Sequence, residues 1–96
     1  MLKPSHHDIL HLLHTDLTGF HIRILRHSDP KFRDLEGLVI KETRQMLLLQ
    51  INQDQIMVSK QPGLFEITLE TGSCHLEGYL LEGDAKRRSK RHLRRW

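Results

Sequence analysis

Ninety-six residues, 38% hydrophobic and 28% charged, suit one small domain with one modest core and are too apolar for a disordered chain. No run approaches the ~20 apolar residues of a membrane span, and the opening Met1-Leu2-Lys3-Pro4-Ser5, followed by histidines, lacks a secretory pattern. The lone Cys74 excludes an intramolecular disulfide, so a cytoplasmic protein with no membrane partner is expected.

Residues 1–19 read as an N-terminal helical extension. Ser5 with Asp8 three positions on has the form of a capping box, and Ile9, Leu10, Leu13 and Leu17 follow at spacings of three and four. The spacing predicts an amphipathic helix of about ten residues, ending near Thr15 or at Gly19. A helix this short needs tertiary packing to persist. Its stripe therefore lies on the body or on another protein, and Ile9, Leu10, Leu13 and Leu17 are the candidate partner contacts.

Residues 20–83 read as consecutive strands. Phe20, Ile22 and Ile24 alternate with His21 and Arg23, and Ser28-Asp29-Pro30 opens a polar loop through Asp34. Leu35 to Ile40 resumes as a strand with Gly37 inside it, where glycine marks a bend or bulge. Met46 to Ile51 is nearly all apolar and is predicted to be the most buried strand. A turn at Asn52-Gln53-Asp54-Gln55 leads to Ile56–Lys60, and Gln61-Pro62-Gly63 is a strong turn signal. Phe65, Ile67 and Leu69 alternate with polar residues, and Thr71-Gly72-Ser73 turns the chain into Cys74, Leu76, Gly78 and Leu80. The predicted class is mainly β. Six short strands with tight turns close most naturally into a strongly bent antiparallel barrel, SH3-like or Sm-like, with an OB-fold as competitor.

Residues 84–96 form a basic tail or helix. It holds seven of the fifteen Lys and Arg residues, Lys86, Arg87, Arg88, Lys90, Arg91, Arg94 and Arg95, with no carboxylate after Asp84. Met1 to Ala85 carries eight basic and twelve acidic residues, a net of −4. An acidic body with a basic end is the layout of a domain that docks on a polyanion, most commonly RNA or DNA; a solvated terminus is the plain alternative. Like charges at i,i+4 within the tail oppose helix formation, so the tail is expected to fray until RNA orders it.

The segments Leu17-Thr18-Gly19-Phe20-His21-Ile22-Arg23-Ile24, Ser28-Asp29-Pro30, Leu35-Glu36-Gly37-Leu38-Val39-Ile40 and Lys41-Glu42-Thr43-Arg44 resemble protein component 1 of archaeal ribonuclease P. The likeness continues through Leu47-Leu48-Leu49, Lys60, Phe65 and Leu76-Glu77-Gly78, covering about Leu17 to Gly83. The resemblance implies an Sm-like barrel in the ribonucleoprotein that removes the 5′ leader from precursor tRNA. It also implies an RNA subunit that carries the chemistry with a divalent metal such as magnesium, and a zinc-ribbon partner, component 4. No cofactor and no catalytic residue is then expected in this chain. The segment Gly83-Asp84-Ala85-Lys86-Arg87-Arg88 departs from the family, which usually has an Arg-Pro-Glu-Asp-Arg type sequence there.

Other chemistry is weakly marked. Eight histidines are many, and His7, His11 and His14 share a helix face, but structural zinc wants four ligands. A metal-free nuclease would use a pair among His21, His27 and His75, which read equally well as strand-surface histidines. Five aromatics are too few for single-strand stacking, so contact with the RNA backbone is favoured over base readout. The candidate RNA contacts are Lys31 and Arg33 in the first loop, Arg44 at a turn, Lys60 at a strand end, and the seven tail cations. A ribosomal or translation-associated SH3-like barrel is the alternative function.

Overall fold

The computed structural model describes residues 5–85 together with 87 and 88. Helix α1 (His6–Leu13) begins with the predicted capping box: the Ser5 amide donates to Asp8 Oδ2 at 3.0 Å and the Asp8 amide to Ser5 Oγ at 3.1 Å. It is eight residues long, shorter than expected, because Thr15 and the turn after it redirect the chain to carry Leu17 inward.

Six strands follow: β1 (His21–His27), β2 (Glu36–Glu42), β3 (Met46–Ile51), β4 (Asp54–Ser59), β5 (Gly63–Leu69) and β6 (Gly72–Glu77). They form one antiparallel sheet in the order β4-β3-β2-β1-β5-β6, as a small barrel-like fold requires. A 3-10 turn at Pro30–Phe32, capped by Asp29, stands in the first loop. A second, Gly78–Leu81, follows β6 where continued strand was predicted. The strand stops because Gly78 presses on the far side of the barrel. A Cβ there would overlap the Lys60 carbonyl oxygen, so only glycine lets the end of β6 meet the end of β4. Gly37 plays the same part between β2 and β3, where a Cβ would run into the Gln50 carbonyl oxygen.

The core joins Leu12, Leu13 and Leu17 to Ile22, Ile24, Val39, Leu47, Leu49, Val58, Phe65, Ile67, Leu76 and Leu81, with Cys74 at its margin. β3, predicted to be the most buried strand, has no exposed residue. Leu47 and Leu49 point inward, while Met46, Leu48 and Gln50 are half-buried on the other face. Leu13 and Leu17, expected as partner contacts, are completely buried in the protein's own core. Ile9 packs partly against that core and Leu10 is half-buried.

Two register shifts bend the sheet and decide what enters it. One lies between Ile24 and Arg26 where β1 pairs with β5, the other between Val39 and Lys41 where β2 pairs with β3. Each adds one residue and reverses the in–out alternation beyond it. Arg26 therefore faces out and His27 in, and Lys41 faces out while the Glu42 side chain turns inward.

Candidate nucleic-acid interface

The inward turn of Glu42 creates an ionic cluster inside the barrel mouth. Its side chain is 1% exposed, and it faces two cations that are wholly buried, Lys60 and Arg88. Lys60 Nζ donates to Glu42 Oε2 at 2.6 Å and to the carbonyls of Thr43 at 2.8 Å, Gly83 at 3.0 Å and Arg44 at 3.3 Å. The Arg88 guanidinium grips both oxygens of the same carboxylate and donates to the carbonyls of Leu13, Thr15, Leu81 and Gly83. The Leu17 amide completes the set by donating to Glu42 Oε1 at 2.9 Å. Every donor of the Lys60 ammonium has an acceptor, which is what permits charge to be buried at all. Burial pushes the Lys60 pKa down, and the Glu42 carboxylate opposes that shift.

Two expected RNA contacts are corrected by this arrangement. Lys60 and Arg88 spend their donors inside the protein and offer none to a phosphate. The motif residues Glu42 and Thr43 are likewise structural, since the Thr43 hydroxyl receives the Met46 amide at 3.0 Å and shapes the β2–β3 turn.

The start of the tail is helical at Ala85, Arg87 and Arg88, while most of the segment expected to fray until RNA orders it lies outside the described residues. Asp84 caps this turn by accepting from the Arg87 amide at 2.9 Å, a bond that holds its carboxyl below the ordinary range. Arg87 is exposed beside it. Lys86, Lys90, Arg91, Arg94 and Arg95 lie outside the described residues.

The remaining predicted cations are on the surface. Lys31 extends from the 3-10 turn, with Nζ 3.6 Å from Asp29 Oδ2 and 5.3 Å from the centre of the Phe32 ring. Arg33 follows that turn and Arg44 stands at the β2–β3 turn, both exposed. Sequence reasoning passed over Arg23, Arg26 and Lys41, which also face outward. Arg23 Nη2 is 3.6 Å from Asp34 Oδ1. Strand alternation could have found Arg23; Arg26 and Lys41 face out only because of the two register shifts.

His21, His27 and His75 are not arranged as an acid–base pair. His27, expected on a strand surface, is buried: its Nδ1 accepts from the Asp29 amide at 3.1 Å, so Nε2 carries the proton toward the Ser59 carbonyl at 3.0 Å. His75 is engaged by Glu66 at 2.9 Å, and His21 lies 3.7 Å from Glu36. His21 and His75 are separated by β5, roughly 10 Å or more at two strand spacings. An open hollow beside α1 holds His7, Asp8, His11 and Glu70, but no group of three or more His, Cys, Asp or Glu among the described residues is placed to hold a metal. The Cys74 thiol is buried and its pKa is raised by that burial, as for a small core residue. No helix among the described residues is long and apolar enough to cross a membrane.

Residues 10–91 match the family model described as "Ribonuclease P/MRP, subunit p29". "Ribonuclease P protein component 1" of Sulfurisphaera tokodaii is 38% identical over 73 residues, covering 76% of this chain and 95% of the relative. The protein of that name from Aeropyrum pernix is 31% identical over 96 residues, covering 98% of this chain and 84% of the relative. That of Pyrococcus abyssi is 32% identical over 82 residues, and the matched part is 64% of its length. By this match and these relatives, the chain belongs to the ribonuclease P/MRP p29 family, that of ribonuclease P protein component 1.

Proposed function

We infer that this ribonuclease P subunit is a non-catalytic protein that binds the RNA backbone and stabilises the folded RNA subunit, which itself carries out the cleavage of precursor tRNA. The observation that carries this reading is the family match over residues 10–91, which reaches into the basic run. That run begins at a turn capped by Asp84 and anchored by Arg88, and its sequence carries six further cations. The family match also favours this reading over a ribosomal or translation-associated barrel. Magnesium is used by the RNA, and a zinc-ribbon subunit is the protein partner. With Leu13 and Leu17 enclosed, the large exposed apolar groups among the described residues that could face that partner are Leu38, Met57 and Tyr79, each exposed by 44% or more, with Ile9 and Leu10 contributing only their open edges. The complex works in the cytoplasm.

Reconstitution tests this. The RNA subunit at limiting magnesium is expected to cleave precursor tRNA faster when this protein and its zinc-ribbon partner are added, while the protein alone cleaves nothing. Cleavage by the protein alone, or no effect on the RNA, would refute the reading. Six tail cations on phosphates also predict a log Kd against log salt slope of magnitude about 4 to 5.

A further inference from the structure

We propose that Arg26 and Arg33, outside the tail sequence, form a second phosphate site that holds the backbone of the ribonuclease P RNA at the end of β1. This rests on the reading that the chain contacts that RNA. Both side chains line one open hollow of about 460 Å³, whose other walls are Leu25 and His27. Both are exposed, and neither has a carboxylate within 4.0 Å among the described residues. Their neighbours Arg23 and Lys31 differ in this respect, being partnered by Asp34 and Asp29. Two unneutralised guanidiniums sharing a hollow repel each other until an anion lies between them. Each presents a planar fork of donors that matches a phosphate in bidentate fashion.

The mounting is firm. The Asp34 amide donates to Ile24 O at 2.8 Å and the Ile24 amide to Leu35 O at 2.8 Å, tying the loop back to β1. Asp29 caps the 3-10 turn at its start, and buried His27 clamps Asp29 to Ser59 of β4. Little ordering is left to be done when a ligand arrives, which favours binding. The occupant is a nucleic acid rather than a protein because the hollow has no exposed large apolar group; Leu38, Met57 and Tyr79 all stand elsewhere. The centre of a protein interface wants such groups, whereas a phosphate site wants charge. Nor does a Phe, Tyr or Trp ring line it, so the contact is indifferent to base sequence.

The test uses the full-length protein and an in-vitro transcript of the ribonuclease P RNA from the same organism. Affinity is measured over a salt series for the unmodified protein, for Arg26→Ala with Arg33→Ala, and for Arg26→Lys with Arg33→Lys. The double alanine variant is expected to flatten the log–log salt slope by about 1.4 to 1.8, the share of two phosphate contacts. The double lysine variant keeps the slope but binds more weakly, because the charge stays while the fork is lost. An unchanged slope in the double alanine variant, with an unchanged urea midpoint, overturns the site and leaves the two arginines to a carboxylate-bearing protein. Absence of salt-dependent binding by the unmodified protein overturns the RNA-contact reading itself, and is distinguishable from that result. In the unmodified protein the Arg26 and Arg33 Nε–Hε signals shift on titration with the transcript; signals that stay put overturn the site without recourse to any variant.

Discussion

Glu42 serves two buried cations in the barrel mouth with one carboxylate. That sharing ranks the members of the cluster. Glu42→Gln leaves two buried cations facing each other and is expected to cost about 3–5 kcal/mol. Lys60→Met leaves the Arg88–Glu42 pair intact and deprives three carbonyls of a donor, a smaller loss of about 1–3 kcal/mol. Urea unfolding of the two variants measures the order; a larger cost for Lys60→Met would place the burden on the carbonyls rather than on charge. This site was only partly legible in the sequence. Glu42 stood out as part of a family signature, but Lys60 looked like any strand-end cation and Arg88 like one bead of a charged run. Their partners lie 18 and 46 residues away, and no local pattern announces a contact at that range.

At the scale of elements, turn chemistry and alternation were readable, and they located the strands and the capping box. What they missed follows from the two register shifts. Simple period-two counting from Ile22 and Ile24 places Arg26 inside and His27 outside, and counting from Gly37 and Val39 does the same for Lys41 and Glu42. One inserted residue in each strand reverses both pairs. The glycines predict two different kinds of damage. Gly78→Ala drives a methyl into the Lys60 carbonyl and is expected to cost about 3 kcal/mol or more. Gly19 has open space around it but a φ of +95°, so Gly19→Ala costs only about 1–2 kcal/mol through the backbone. Thermal melting of the pair distinguishes contact from conformation. Helix α1 adds a pH dependence. The Ser5 amide, then its hydroxyl, hold the Asp8 carboxyl below the ordinary Asp range, with the Thr71 hydroxyl assisting. A depressed pKa gives stability that is complete above the unfolded value, about 3.9, and lost as pH falls through the folded value. Amide exchange in Leu10–Leu13 is therefore expected to quicken below about pH 4, and Asp8→Asn is expected to remove that step.

On the scale of the whole molecule the tail has two tasks that truncation separates. Ending the chain after Arg88 keeps the ionic cluster but removes Lys90, Arg91, Arg94 and Arg95. The protein should then melt as the full chain does, while its salt slope for RNA falls by about 3 to 4. Ending it after Asp84 removes Arg88 as well, exposes the Leu13 and Thr15 carbonyls to loss of their donor, and should lower the urea midpoint. Equal stability of the two truncations would refute the structural role of Arg88.

The reach of Arg88 also bears on when the protein can become itself. Its bonds to Leu13 and Thr15 span 75 and 73 positions of the chain. Such closures come late, because residues far apart in the chain must first be brought together. During synthesis the strands can assemble as they emerge, but Glu42 and the carbonyls after α1 wait until residue 88 has left the ribosome. The mouth of the barrel is thus sealed only once side chain and carbonyl, 75 positions apart, have met.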